Sequence, residues 1–416
     1  MFFLYQTILT LVIIISPIII SYRILKNKED KKRFLEKFCF FSKKRTSGKL
    51  IWFHGSSVGE LLSIIPIIEQ YEKKKTIDQI LLTSSTLSSS RVFNKLKFKK
   101  TIHQFYPIDH SFFTSKFINY WKPDLAFFID SEIWPSMFKK LNHKKIPLIL
   151  LNARITKKTF DRWSKYKNFS KSIFRNISVA YAQNLETKLF LKNLNVKKIK
   201  HIGNLKFSEN EQEKHSLISN KLKKQLNNKK VWVASSTHAN EEIFCAYAHI
   251  YLRKKIKNLL TIIIPRHVHR VDEIISQIKK LNLSVARHSS AINSLNNTDI
   301  YIVDTFGETK KFYKIASSVF LGGSIIKRGG QNPLEAARFN AKILHGPNID
   351  NFKDVYKSLK KLNISYKITN QKELASLISF KKRKNSGDKI KKIGTIILKQ
   401  TLEEIDNLII NEFKKT

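Results

Sequence analysis

A carboxylate that follows an apolar strand and opens a helix is well placed to accept a proton, and Glu60 stands in such a position. It ends the loop HGSSVGE, which joins the apolar segment 50–54 to a helical pattern over 60–74. Gly55 and Gly59 permit a tight turn and the close approach of a ligand. In the first helical turn, backbone N–H groups favour the ionised form of Glu60. Two interpretations are open here: Glu60 acts as a general base, or it only caps the helix.

Two further carboxylates and a lysine also follow strand-like or turn segments. Asp130 and Glu132 come after the apolar run 125–129, directly before a Trp-Pro pair that turns the chain. Acids in this place are unfavourable unless they are solvated, paired or used on a ligand. Lys206 lies close to the glycine turn at Gly203, which is a weak signal in so lysine-rich a chain. These side chains are the remaining candidates for catalysis in the first half.

The second half of the chain carries a glycine-rich loop that leads into a helix. Residues 322–330 contain four glycines and are followed by Asn332, Pro333 and Glu335. Asn332 is suited to the N-cap, Pro333 to the first helical position and Glu335 to a capping box. A helix start of this kind binds anions through its backbone N–H groups. The pattern predicts a nucleotide-phosphate site, and the alternative is a purely structural helix start.

Three more loops of the second half follow apolar segments. Arg266 and His267 end the segment 260–264 and would supply a cation and a hydrogen-bond donor to the same anion. The hydroxyl-rich loop 234–242 and the acidic loop 304–308 each follow another segment of this kind. The candidate ligand-binding side chains of the second half therefore lie in four separate loops.

Short apolar segments alternate with amphipathic helical patterns, which is typical of parallel sheets covered by helices. Two such series predict an α/β fold with two doubly wound, Rossmann-like domains facing a cleft. The expected strands are 50–54, 78–83, 102–106, 125–129, 147–151 and 178–182, then 230–234, 260–264, 283–286, 300–303, 318–322 and 342–345. The expected helices are 60–74, 185–194, 240–255, 270–281 and 333–339. Ligands of such sheets bind at the carboxyl ends of the strands, where the candidate loops lie.

Composition shifts give the expected domain boundaries. A polar stretch without strand signals separates the two series, and lysine-rich helices end the chain. The resulting division is an apolar anchor (1–22), a basic segment (23–49), a first domain (50–206), a linker (207–229), a second domain (230–377) and terminal helices (378–416).

The net charge of the 416-residue chain is +45, from 77 Lys+Arg and 32 Asp+Glu. A polyanionic partner would explain this charge, and so would compositional drift, which the even spread of lysines favours. A hydrophobic content of 42%, with 11% aromatic residues, excludes a disordered chain. Two cysteines exclude a disulfide scaffold, and the absence of zinc-ligand spacing in the sequence argues against a structural metal.

Residues 1–22 contain no charged side chain, whereas residues 23–49 carry eleven Lys/Arg and three acids. A helix of the first length spans roughly 30 Å, about the hydrocarbon thickness of a bilayer. The basic segment keeps the following chain in the cytoplasm and is expected to meet anionic headgroups. A secretory signal peptide is the alternative, but its charges should precede the apolar run. We expect an uncleaved anchor or an embedded interfacial helix, whose removal leaves the fold and most activity on a detergent-dispersed acceptor intact.

In its ordered motifs the chain resembles the 3-deoxy-D-manno-oct-2-ulosonic acid (Kdo) transferases of lipopolysaccharide synthesis. The resemblance covers most of residues 1–355. It rests on HGSSVGE (54–60), DSEIWP (130–135), LNARI (151–155), GNLKF (203–207), ASSTHANEE (234–242), PRH (265–267), DTFGE (304–308), GGSIIKRGGQNPLEAA (322–337) and GPNIDNF (346–352).

This resemblance implies a GT-B-type glycosyltransferase whose first domain binds the acceptor and whose second binds the donor. It implies CMP-Kdo as donor and the lipid A precursor lipid IVA as acceptor, with neither metal nor cofactor, at the cytoplasmic face of the inner membrane. By the same resemblance Glu60 is the proton acceptor, and Asp130 and Lys206 act on the transition state. The implied CMP-binding positions are Arg266, His267, Phe306, Gly307, Glu308, Asn332, Pro333, Leu334 and Glu335.

Two positions depart from the family pattern. Asp130 stands where the family usually has Glu, which shortens the reach of the carboxylate by one methylene. Phe306 stands where the family usually has Met, which is tolerable if the backbone makes the main contribution there. The number of Kdo residues transferred does not follow from the sequence.

Two other functions compete with this one. The basic and aromatic stretch 157–175 would suit a nucleic-acid-binding protein. The same side chains would suit membrane headgroups, and the apolar N-terminus favours anionic lipids over nucleic acid as the partner. A twin-Rossmann glycosyltransferase that uses a UDP-sugar is the nearer alternative.

Overall fold

The computed structural model describes residues 1–209, 217–290 and 294–414, so part of the expected linker, 210–216, lies outside the described residues. The chain forms two compact units, Met1–Asn210 with Ile393–Thr416, and Glu211–Lys392. Each unit contains a seven-stranded sheet whose strands all pair in parallel. The prediction of an α/β fold with two doubly wound, Rossmann-like sheets is confirmed.

The first sheet is made of β1 (Leu50–His54), β2 (Gln79–Ser84), β3 (Thr101–Phe105), β4 (Leu125–Ile129), β5 (Leu148–Ala153), β6 (Val179–Ala182) and β7 (Ile199–His201). Their order across the sheet is β3-β2-β1-β4-β5-β6-β7. The helices of this unit are α1 (Phe2–Leu25), α2 (Val58–Tyr71), α3 (Leu87–Phe93), α4 (Ser111–Trp121), α5 (Pro135–His143), α6 (Lys157–Ser164), α7 (Lys167–Phe174) and α8 (Leu185–Asn193). Short 3-10 helices lie at Phe34–Phe38 and Leu205–Ser208.

The second sheet is made of β8 (Lys230–Thr237), β9 (Leu259–Pro265), β10 (Val285–Arg287), β11 (Ile300–Ile302), β12 (Ser318–Leu321), β13 (Lys342–His345) and β14 (Ser365–Lys367). Their order is β10-β11-β9-β8-β12-β13-β14. The helices are α9 (Asn220–Leu226), α10 (Glu241–Arg253), α11 (Val271–Lys279), α12 (Thr309–Ile315), α13 (Leu334–Arg338), α14 (Lys353–Lys361) and α15 (Gln371–Leu377), with a 3-10 turn at Val268–Arg270. The last helix, α16 (Ser386–Phe413), begins in this unit and ends in the first.

The expected strands are present, and two more were missed. The missed strands β7 and β14 lie at sheet edges, have three residues each and expose lysine side chains, so they lack the apolar run that marks a buried strand. The first expected helix begins earlier than predicted, at Val58, because Ser57 rather than Glu60 is its N-cap. The helix expected at 333–339 is only Leu334–Arg338.

The basic segment 23–49 is less available to a membrane than its composition suggests. Buried Glu29 accepts ion pairs from Arg23 (3.0 Å) and Lys37 (2.6 Å), and buried Glu36 is paired with Arg33 (2.7 Å). These three cations therefore neutralise internal carboxylates. Contact of this segment with headgroups stays a prediction, and it would depend on the lysines that remain exposed.

The described part of the terminal segment 378–416 contains one long helix rather than several, and the second half of that helix packs on the first unit. Asp406 accepts hydrogen bonds from the hydroxyl of Tyr71 (2.8 Å) and from Lys74 (2.5 Å). Glu404 accepts from Lys200 at 2.6 Å. The chain thus returns to the first unit after completing the second.

Candidate active site

The first candidate site lies where the order of the first sheet reverses. β1 and β4 are neighbours, and the chain leaves them toward opposite sides of the sheet. Loops at the carboxyl ends of such a strand pair flank a crevice in which doubly wound sheets bind ligands. The loop after β1 carries Glu60, and the loop after β4 carries Asp130 and Glu132. The topology alone therefore brings these three carboxylates together.

Glu60 lies in the first turn of α2 and is held by two serines. The Ser56 N–H and the Ser57 hydroxyl each donate to its carboxylate at 2.8 Å. In return, the Glu60 N–H donates to Ser57 Oγ at 3.3 Å, so Ser57 and Glu60 form a capping-box-like pair. Capping is real, but it does not account for the burial of the carboxyl group beside two other acids.

Burial and neighbouring charge raise the pKa of Glu60 to about 7. Desolvation contributes most, and the negative charges of Glu132 and Asp130 act in the same direction. The hydrogen bonds from Ser57 and Ser56 oppose this shift without cancelling it. A carboxylate with a pKa near neutrality is a stronger base than an ordinary glutamate and is still largely ionised above pH 7.

Glu132 is the acid of the cluster that is held in its ionised form. Its Oε2 accepts hydrogen bonds from the Ser56 hydroxyl (2.5 Å) and from the indole N–H of Trp134 (2.9 Å). His54 Nε2 lies 3.3 Å from the same oxygen, and the His54 ring is fully buried. Burial alone would raise the pKa of Glu132, but these donors hold it below its usual range.

Asp130 and Lys206 form a buried pair. Lys206 Nζ lies 3.3 Å from Asp130 Oδ2, and the two side chains are 14% and 6% exposed. Asp130 has φ of +60°, a left-handed conformation that Asp adopts more readily than Glu. Asn204 Oδ1 accepts from the Lys206 N–H, which fixes the 3-10 turn that carries the lysine. The shorter carboxylate therefore still reaches the lysine.

The second candidate site lies at the corresponding reversal of the second sheet, between β8 and β12. The ends of β11, β9, β8 and β12 are side by side, and they lead into the four loops singled out from the sequence. Among the residues that the structure describes, no group of three or more His, Cys, Asp or Glu side chains could hold a metal ion.

Part of the glycine-rich loop is occupied by the protein itself. Buried Glu241 accepts from the N–H groups of Gly323 (2.6 Å), Ser324 (3.0 Å), Ile325 (3.0 Å) and His238 (3.0 Å). The N–H groups of this stretch therefore bind an internal carboxylate. A ligand anion must use other groups of the site.

Arg266 and His267 are exposed at the end of β9, next to the end of β8. The Arg266 N–H donates to the carbonyl of Thr237, and the rings of His238 and His267 have centroids 5.5 Å apart. His238 Nε2 is buried without a partner among the described residues. Burial lowers the pKa of His238; the Glu241 carboxylate opposes this shift, and His267 and the nearby arginines add to it, so the ring is neutral at pH 7.

The remaining predicted CMP-binding positions lie in two places, at the start of α13 and in the loop after β11. Asn332 Oδ1 accepts from the Leu334 N–H at 3.1 Å, and Pro333 rather than Asn332 is the N-cap of the short helix. Glu335 is half-buried in the first turn of that helix. The other three positions form a separate group after β11: Phe306 (79% exposed), Gly307 (φ +86°) and Glu308, which is paired with Lys311 at 2.8 Å.

Sequence reasoning missed one residue that supports the first site. Gly394 lies inside α16, and a Cβ there would stand 2.2 Å from the carbonyl oxygen of Phe207. Nearby, Ile397 packs against Gly203, so α16 covers both sides of the turn that carries Lys206. A glycine in a helix interior destabilises the helix by about 1 kcal/mol relative to alanine, which was the available signal of a close approach.

Comparison with known proteins shows which family this chain belongs to. Residues 32–209 match the family described as 3-deoxy-D-manno-octulosonic-acid transferase (kdotransferase). A 3-deoxy-D-manno-octulosonic acid transferase of Rickettsia bellii is 33% identical over 388 residues, which cover 93% of this chain and 92% of the relative. The chain belongs to the Kdo transferase family. The transferase is also 28% identical over 359 residues to the Haemophilus influenzae protein of that name, covering 84% of each chain.

Solved structures support the fold class of the transferase. Anabaena HepE, described in complex with UDP and glucose, superposes with a TM-score of 0.53 over 86% of the transferase and all of that chain, at 14% identity. At this identity the likeness concerns the fold alone, which is of the GT-B type. The enzyme is thus a glycosyltransferase with two Rossmann-like units and one N-terminal apolar helix.

Proposed function

We propose that the transferase moves Kdo from CMP-Kdo to lipid IVA, with Glu60 as the base and without a metal ion. The observation that carries the proposal is the carboxylate of Glu60, whose pKa is raised to about 7 at the switch point of the first sheet. Membership of the Kdo transferase family supports the transferred sugar.

In the proposed reaction an acceptor hydroxyl attacks the anomeric carbon of Kdo. The new carbon–oxygen bond forms as the bond to the CMP phosphate breaks, and the hydroxyl proton passes to Glu60. CMP leaves with the bonding electron pair on its phosphate oxygen. The Lys206 ammonium, held beside Asp130, would supply positive charge in the first unit, where the acceptor hydroxyl is proposed to attack.

The donor nucleotide is proposed to bind at the second site. Exposed Arg266 and His267 suit the phosphate, because guanidinium and imidazole groups donate strong hydrogen bonds to phosphate oxygens. Half-buried Glu335 suits the ribose hydroxyls, which carboxylates accept from. The loop 306–308 would complete the pocket with its backbone.

The enzyme is proposed to act at the cytoplasmic face of the inner membrane. α1 is long and apolar enough to cross a membrane, and its large side chains are exposed, among them Phe3 (84%) and Leu25 (80%). Tyr5 of α1 contacts Phe169 of α7, so the basic helices α6 and α7 continue this surface. Anionic lipids are the proposed partner of that surface.

Calorimetric titration with CMP tests the donor half of the proposal. Arg266→Ala and Glu335→Ala are each expected to weaken CMP binding by roughly 10- to 150-fold, since a charge-assisted hydrogen bond contributes about 1.5–3 kcal/mol. Lys257→Ala, at an exposed lysine just before the start of β9, serves as the control. Wild-type affinity in both site variants, or transfer from UDP-hexoses instead of CMP-Kdo, would contradict the proposal. EDTA is expected to leave transfer unchanged.

A further inference from the structure

The N-terminal helix α1 contacts α5, the helix that follows the loop of Asp130 and Glu132. The Tyr5 hydroxyl donates to Asp109 Oδ2 at 2.8 Å, and Gln6 Nε2 donates to Ser136 Oγ at 2.7 Å. Gln6 Oε1 also accepts from the N–H (2.9 Å) and hydroxyl (2.7 Å) of Ser111 at the start of α4. A helix that served only as a membrane anchor would not need polar side chains bonded to the enzyme.

Asp109 supplies the cap that α5 lacks. Trp134 occupies the N-cap position of α5 but makes no capping hydrogen bond with its side chain. Instead, Asp109 accepts from the N–H groups of Ser136 and Met137, each at 2.9 Å. Asp109 is only 2% exposed. Its carboxylate thus joins Tyr5 of α1 to the start of α5.

The start of α5 is continuous with the loop that holds Glu132. Trp134 directly precedes Pro135, the first residue of α5, and its indole N–H donates to Glu132. The Trp134 ring also packs on Tyr106, with centroids 5.0 Å apart. A shift of the start of α5 would therefore move Trp134 and change the position of Glu132.

We propose that α1 is a positioning element of the active site, in which Tyr5 acts through Asp109 and the start of α5 to hold Glu132 beside Glu60. The proposal rests on the proposed role of Glu60 as base. It replaces the expectation that removal of residues 1–22 spares activity in detergent. The charged groups that act on Glu60 are Glu132 and Asp130, from the loop after β4. His54 of β1 contacts Glu132, and Lys206, in the 3-10 turn packed on α2, is paired with Asp130.

The test compares Tyr5→Phe with Tyr22→Phe in the full-length enzyme. Tyr22 lies on the same helix and is 61% exposed, so its variant makes the same chemical change away from Asp109. Both variants are expected to sediment with anionic vesicles and to bind CMP like the wild type. Tyr5→Phe is expected to lower kcat about three- to tenfold with the KM for CMP-Kdo unchanged, because small displacements of reacting groups slow catalysis. Tyr22→Phe is expected to behave as the wild type.

The pH dependence separates positioning from a loss of stability. Tyr5→Phe is expected to move the acid limb of the kcat/KM profile toward lower pH, in the same direction as Glu132→Gln. In the Glu132→Gln background the Tyr5 change should add no further shift, since both act on one interaction. An unchanged profile, or additive shifts in the double variant, would overturn the inference.

Two further variants keep the outcome interpretable. If Tyr5→Phe fails to fold, Gln6→Ala takes its place. This variant removes the other hydrogen bond from α1 to α5, between Gln6 and Ser136, and its pH profile is measured in the same way. Glu60→Gln serves as the reference for the base. Full transfer by Glu60→Gln would contradict the proposed function itself, whereas an inactive Glu60→Gln with a wild-type Tyr5→Phe would contradict only the role of α1.

Discussion

At the scale of single residues, Ser56 links the two acids that matter most in the first site. Its N–H donates to Glu60 and its hydroxyl to Glu132, so one residue holds both carboxylates. Glu132 takes the stronger set of donors and stays ionised, and its charge helps to raise the pKa of Glu60 to about 7. One acid is thereby prepared to remain charged and the other to exchange a proton.

This arrangement predicts the effect of Glu132→Gln. Removing the negative charge lowers the pKa of Glu60, so the acid limb of the pH profile of kcat/KM should move to lower pH by roughly one unit. Glu186→Gln, at an exposed acid of the same unit, should leave the profile unchanged. The measurement is the initial transfer rate between pH 5 and 9. A shift to higher pH, or none, would mean that Glu132 does not tune Glu60.

At the scale of elements, α16 supports the turn that carries Lys206. The close approach of Gly394 to the Phe207 carbonyl leaves no space for a side chain. Contacts of Asp406 and Glu404 with residues of the first unit fix the rest of the helix. The end of the chain is therefore part of the first site's framework.

Gly394→Ala tests this role, because helix propensity and the clash with Phe207 change the free energy of unfolding in opposite directions. Helix propensity alone would stabilise the variant by about 1 kcal/mol, whereas the clash with Phe207 should destabilise it by about 1–3 kcal/mol. We expect a lower free energy of unfolding and a several-fold loss of transfer through displaced Lys206. Ile396→Ala, at a half-exposed site two residues further along α16, is the control. A more stable Gly394→Ala enzyme with full activity would show that α16 is not closely packed there.

The elements that the sequence predicts are specified by local residue patterns, whereas the features that it misses depend on contacts between distant parts of the chain. Buried strands such as β1 and β4 are specified by their own apolar residues, and the loops after them by glycines and acids. The docking of α16 depends on a partner more than 180 residues away, which no local pattern identifies. The same is true of Glu241, whose four hydrogen bonds turn an apparent anion site into an internal cap. Tertiary contacts, rather than local propensity, decide these features.

At the scale of the whole molecule, each unit has the same feature, a candidate site at the point where the strand order of its parallel sheet reverses. In the first unit this position holds acids and one lysine, and in the second it holds arginine, histidines and a short helix start. The net charge of the chain is +45, but some of its cations are paired inside the fold, as the ion pairs to Glu29 and Glu36 demonstrate. The exposed apolar side chains of α1 form the surface that the proposed contact with a bilayer would cover.

Glu60 is the proposed base for transfer of Kdo from CMP-Kdo, and single-turnover transfer by Glu60→Gln tests this role most directly. Because the pKa of Glu60 is raised, its ionised form destabilises the fold as pH rises from about 4.5 to about 7. The variant should therefore unfold at pH 8 at no lower temperature than the wild type, and it should bind CMP normally. Transfer should fall by about 10²–10⁴-fold, as loss of a general base predicts. Transfer at the wild-type rate by this folded variant would contradict the account.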